Sequence, residues 1–185
     1  MVYITLVYHS ECRLVPSDTM TCMASSESEE KWDDKWIDFS CQNVYTNSES
    51  YWARARPWTQ DPKPWIHLSL GYFYAVERIN IRQRAGDEEY HGKLYSEQNV
   101  QMFKDISLKF SDGTKVDYKL SRNRYWNEVV LSYPVVSVFV KIIGENVYKT
   151  SGFVPGRPPW KQEARRPDNP GFSEIQVFGC YQGTP

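Results

Sequence analysis

Large apolar residues alternate with small or polar ones from Trp65 to Leu70 (Trp65-Ile-His-Leu-Ser-Leu70), the pattern of a strand with one buried face. The alternation stops at Gly71 and resumes over Val76-Glu-Arg-Ile-Asn-Ile-Arg82. Asp105–Phe110 and Lys115–Leu120 alternate likewise and flank Asp112-Gly113, a pair that predicts a tight hairpin. Val135–Ile143 is a longer run of β-branched residues and predicts a central strand covered on both faces. Ser173–Phe178 alternates again before Gly179-Cys180. Strand signals dominate after the acidic segment Ser26–Asp34, and no stretch holds a 3.6-residue apolar stripe for three turns. Short strands with turn punctuation predict an all-β sandwich or barrel. Three connections are long: Ala53–Pro64, Gln83–Met102 and Glu145–Gly171, a length usual for functional loops. The last is stiffened by Pro155, Pro158, Pro159, Pro167 and Pro170.

The 185 residues suit one domain. With 41% hydrophobic and 24% charged residues the chain is not disordered. Its 22 basic and 23 acidic residues leave a net charge of -1, so no overall field draws it to nucleic acid or an anionic membrane. The aromatic share of 15%, with 7 Trp and 13 Tyr, points to β-structure, a ligand platform or both. No apolar run approaches the length of a membrane span. Met1–Tyr8 lacks a basic n-region and a cleavage site, so it reads as a leading strand, not a signal peptide. The chain is then either cytosolic or a mature domain behind an added Met. Cys12, Cys22, Cys41 and Cys180 favour the second, since they show no CxxC and no zinc-ligand spacing. Four cysteines allow three pairings, which the sequence leaves open. A bridge from the amino-terminal group to Cys180 would close a loop of about 140–170 residues, worth on the order of 4–5 kcal/mol. The expectation is an oxidising, extracellular setting, although no Asn-x-Ser/Thr sequon is present.

The order of these segments carries a family pattern. Met23-Ala-Ser-Ser26 is followed by Ser50-Tyr-Trp-Ala53, Pro64-Trp-Ile-His-Leu-Ser-Leu-Gly71 and Val76-x-x-Ile-x-Ile-x-x-Arg84. The Val138–Ile142 strand and Gly171-Phe-Ser-Glu-Ile-Gln-Val-Phe-Gly-Cys180 complete the set. Over residues 22–180 the chain resembles the galactose-binding-domain-like superfamily, which includes discoidin or coagulation-factor C-type domains, carbohydrate-binding modules and fucose-binding lectins. The resemblance implies an antiparallel jelly-roll β-sandwich whose two chain ends lie close together, which suits a terminal cysteine bridge. The expected organisation is a leading strand and connector over 1–20, the discoidin-like sandwich over 21–180 and a tail over 181–185.

The resemblance also implies sites. Many members hold a structural calcium in the loop after the first strands, capped by the Glu of the carboxy-terminal motif. Glu174 stands at that position, and Asp38, Asn43, Thr46 and Ser50 supply an oxygen-rich loop suited to calcium. No organic cofactor is expected. Sugar-binding members use an Arg just after the Ile-x-Ile strand with a nearby His or Arg and an aromatic ring. Arg84 matches that Arg, Arg82 lies two residues before it on the same strand face, and Tyr90 and His91 follow. Guanidinium groups offer forked donors to vicinal hydroxyls, and an exposed ring covers sugar C–H groups. Trp58, Trp126 and Trp160 fall in predicted loops as candidate stacking rings, and Arg165 lies in a basic patch with Arg157, Lys161 and Arg166.

No nucleophile elbow, zinc-protease helix, phosphate loop or dinucleotide fingerprint occurs, and the chain is not expected to be an enzyme. The reading is an extracellular binding module for a carbohydrate or glycoconjugate, acting through long loops at one end of the sandwich. The alternative is a protein-interaction domain of an adhesion, receptor or matrix protein, using the Arg/Pro/Trp-rich loop 145–171. Membrane insertion is not expected, since only Trp58 among Arg54, Arg56 and Lys63 has the make-up of an apolar spike in a basic ring.

Overall fold

The computed structural model describes residues 12–32, 35–46, 52–53, 61–84, 89–90, 93–94, 102–123, 125–148 and 170–185. Its strands are β1 (Arg13–Leu14), β2 (Thr21–Ala24), β3 (Ser28–Trp32), β4 (Lys35–Phe39), β5 (Trp52–Ala53) and β6 (Trp65–Gln83). After these come β7 (Glu89–Tyr90), β8 (Lys93–Leu94), β9 (Phe103–Phe110), β10 (Lys115–Lys119), β11 (Trp126–Val147) and β12 (Gly171–Gly183). Short 3-10 turns occupy Ser17–Thr19 and Cys41–Val44. The acidic segment, expected to precede the strands, instead pairs β3 with β4 as an antiparallel hairpin of its own.

Two long strands make both layers of an antiparallel sandwich. The first part of β6 lies between β2 and the second half of β11, which continues to β9 and β10. The second part of β6 lies between β12 and the first half of β11, with β1 and β5 on the outer edge of β12. The β6/β11 ribbon therefore folds over on itself and contributes to each layer. Sequence alternation suggests a break at Gly71, yet β6 continues through it as one strand from Trp65 to Gln83. Gly71 takes φ 77°, and a Cβ there would collide with the Thr19 carbonyl. Ile66, Leu68 and Leu70 face the core from one layer, and Ile79, Ile81, Ile175 and Val177 from the other.

Bulges explain why alternation is not continuous. In β6 the buried positions change from even (Leu68, Leu70, Val76) to odd (Ile79, Ile81), and the pairing with β12 slips between Arg78 and Val76, leaving Glu77 as the extra residue. β11 makes the same switch between Ser137 and Val140, where its register with β6 shifts. The strand predicted over 135–143 is thus part of a 22-residue strand. It is covered on one face only: Val140 and Ile142 are buried, while Val136 is 47% exposed.

Cys12 is bonded to Cys180 and Cys22 to Cys41, which settles the pairing that spacing left open. The leading strand expected over Met1–Tyr8 lies outside the described residues.

Candidate functional site

One end of the sandwich collects the flanks of all three long connections. The Arg84 amide donates to the Gly171 carbonyl, and Gly171 pairs with Ala53. Gln83 donates through Nε2 to the Ser121 carbonyl at 2.9 Å, and the Tyr148 hydroxyl donates to the Leu120 carbonyl at 2.7 Å. The Tyr148 amide donates to the carbonyl of Met102. Beneath this end lies an aromatic layer: the fully buried Trp52 stacks on Phe172 at 5.6 Å and on Phe103 at 6.3 Å. Its indole N–H donates to the Ser26 carbonyl, so the buried ring carries no unmet donor.

On the outer face of the β12–β6–β11 layer at this end, strand register brings three distant residues into one row. Arg82 is paired with Trp126 on one side and with Glu174 on the other. The Arg82 guanidinium lies 5.4 Å from the Trp126 ring centroid, a cation–π contact, and its Nη2 is 3.0 Å from Glu174 Oε2. Arg82 Nε also donates to the Ser173 hydroxyl, and Glu174 Oε1 accepts from Gln176 Nε2. Trp126 was expected in a loop but opens β11, with 39% of its surface exposed next to Tyr125 at 65%. The arrangement sets a partly exposed indole, a guanidinium and a carboxylate in one row. Arg84 follows directly at the end of β6, its amide held as described.

The described residues that the resemblance would place around calcium make the following contacts. Both Glu174 oxygens are engaged, one by Arg82 and one by Gln176. Asn43 turns its amide N–H inward to the Asp38 carbonyl at 2.9 Å, and the Thr46 hydroxyl donates to the Gln42 carbonyl. Ser50, Trp58, His91, Trp160 and Arg165 lie outside the described residues, and of Tyr90 only its place in the β7–β8 hairpin is described.

Tyr125, Ser173 and Gln176 were not expected at the site, although Ser173 and Gln176 lie in the carboxy-terminal segment that carries the resemblance. Their only signal is position, beside Trp126 and Glu174, and it becomes readable once β11 and β12 are known to flank β6.

No family model matches the sequence, and no curated protein matches it either. Solved structures do. The family 32 carbohydrate-binding module of NanJ from Clostridium perfringens, in complex with galactose, superimposes with a TM-score of 0.59 at 14% identity, over 90% of this chain and 98% of that one. The chitosan-binding module 1 of a chitosanase/glucanase from Paenibacillus sp. IK-5 gives 0.55 at 14% identity, over 87% and 96%. A family 89 glycoside hydrolase from Clostridium perfringens gives 0.55 at 16% identity, covering 94% of this chain and 15% of that chain. The chain has the galactose-binding-domain-like sandwich fold of these carbohydrate-binding modules, as its segment order implies.

Proposed function

We propose that this protein is a non-catalytic carbohydrate-binding module that works outside the cell and binds its ligand at the loop-bearing end of the sandwich. The observation that carries the reading is the Arg82 row: a partly exposed Trp126 ring beside a guanidinium held in place by Glu174. A sugar laid on the indole covers its C–H face, the guanidinium edge donates to hydroxyls, and Glu174 accepts from one of them. Arg84 and the residues of the neighbouring long connections extend the site. The fold supports the reading, because it is shared with modules that bind galactose and chitosan. A shared fold does not choose the sugar. Two disulfides support an oxidising location.

A glycan array followed by titration of the array hits, read by intrinsic tryptophan fluorescence, tests the proposal. Trp126→Ala and Arg84→Ala should abolish binding while leaving the melting temperature nearly unchanged. A blank array, or binding that survives Trp126→Ala, overturns this site. A blank array would turn attention to a protein partner for 145–171.

A further inference from the structure

The outer face of the other layer carries a second feature, remote in register from the Arg82 row. Lys115 of β10 stands opposite Lys109 of β9, Lys109 opposite Lys141 of β11, and Lys141 opposite His67 of β6. Adjacent strands lie about 4.8 Å apart, so the row spans roughly 15 Å straight across four strands. Like charges directly opposite one another destabilise a sheet. Lys115 is relieved by Asp117 at 2.9 Å, and Lys141 rests its ammonium 3.8 Å from the Trp65 ring centroid. Lys109, between Lys115 and Lys141, is exposed, and its side chain makes no ion pair or hydrogen bond among the described residues.

Beside the row opens a polar cleft of about 520 Å³, lined among others by Lys63, Ser107, Asp117, Lys119 and Glu145. Ser107 is fully buried, and its Oγ is within hydrogen-bond reach of both Asp117 and Glu145. A hydroxyl carries one proton, so it serves one carboxylate at a time. The other carboxylate keeps lone pairs for a donor from the cleft.

We propose that this face is a second binding surface, for an acidic polysaccharide whose carboxylate or sulfate groups lie along the lysine row while its hydroxyls enter the cleft. The charge pattern favours such a chain over other polyanions. Asp117 and Glu145 beside the lysines accept hydroxyl donors, which a polysaccharide carries on every residue and a duplex DNA backbone or a phospholipid surface does not. Nothing on the row is an apolar wedge for lipid, and the net charge of -1 gives no general attraction to a membrane or a nucleic acid.

The full chain is titrated with polygalacturonate, with dextran sulfate and with neutral dextran, at low and raised salt. Binding to one or both acidic polymers, weakened by salt and absent with neutral dextran, is the expected result; the two acidic arms tell carboxylate from sulfate. Lys109→Glu should weaken that binding roughly tenfold through loss of local field, and Lys109→Ser by less. Both variants should melt at or above the wild-type temperature, because a like-charge contact is relieved. Trp126→Ala should leave acidic-polymer binding intact, so this surface and the Arg82 site fail independently. Equal binding of neutral dextran, indifference to Lys109→Glu, or preference for duplex DNA or phosphatidylserine vesicles overturns the proposal.

Discussion

Arg82 Nη2 lies 3.0 Å from Glu174 Oε2, joining residues 92 positions apart because β6 and β12 are neighbours in the sheet. The pair is partly exposed, so its contribution to stability is small, about 1 kcal/mol or less. Its consequence is orientation: the guanidinium is held against Trp126.

Glu174→Gln should therefore lower affinity for the sugar identified on the array far more than it lowers the melting temperature. EDTA should shift neither quantity, because the Glu174 oxygens are already engaged. A melting temperature that rises on adding calcium would show instead that Glu174 leaves Arg82 to cap an ion at residues 38–46.

The two disulfides should differ in value. Cys12–Cys180 spans 168 residues and Cys22–Cys41 spans 19. On the loop-entropy model the first contributes about 5 kcal/mol and the second about 3 kcal/mol. Replacing each pair by serines and measuring urea unfolding checks the order; an equal loss from both would mean that closure entropy is not the governing effect.

Gly144→Ala should be costly. A Cβ at this position falls within the van der Waals envelope of the Phe103 ring, which is fully buried and stacked on Trp52 and Phe172. Overpacking of this kind costs about 1–3 kcal/mol. Chemical denaturation of the variant measures it, and near-UV circular dichroism should report a disturbed Trp52 layer.

His67 should make stability pH-dependent. Burial, and then the neighbouring Lys141 ammonium, hold its pKa below the ordinary 6.5. Its ring packs on Phe139 at 4.5 Å, and Met23 stands opposite it on β2. The unfolded chain then takes up the proton first, so stability falls as pH drops below 6.5 and on through the lower folded value. Melting temperatures should decline from pH 7 to about pH 5, and His67→Gln should flatten that slope. The window stays above the carboxylate range, where Asp117 and Glu145 add their own loss. The Ser107 hydroxyl, then Lys115, holds Asp117 below its usual value, and Lys63 does the same for Glu145. An unchanged slope in His67→Gln would remove His67 as the cause.

The order of the segments from Met23 to Cys180 carries the resemblance to the galactose-binding-domain-like fold, and alternation with Asp112-Gly113 determines by itself that the chain is all-β. These signals are local, since they follow from the two-residue period of a strand and from turn chemistry. The same local logic misread Gly71 as a strand end and Trp126 as a loop residue. A glycine at positive φ can continue a bent ribbon, and strand ends depend on partners that the sequence does not name. Tertiary structure alone decided the pairing of the cysteines, the placing of Arg82 between Trp126 and Glu174, and the row of Lys115, Lys109 and Lys141. Most of these depend on contacts between segments far apart in the chain, 168 residues for Cys12–Cys180 and 92 for Arg82–Glu174, and on bulges such as the one at Glu77. A one-residue slip turns every side chain to the other face, so which residues meet is fixed only when the layers close over the core.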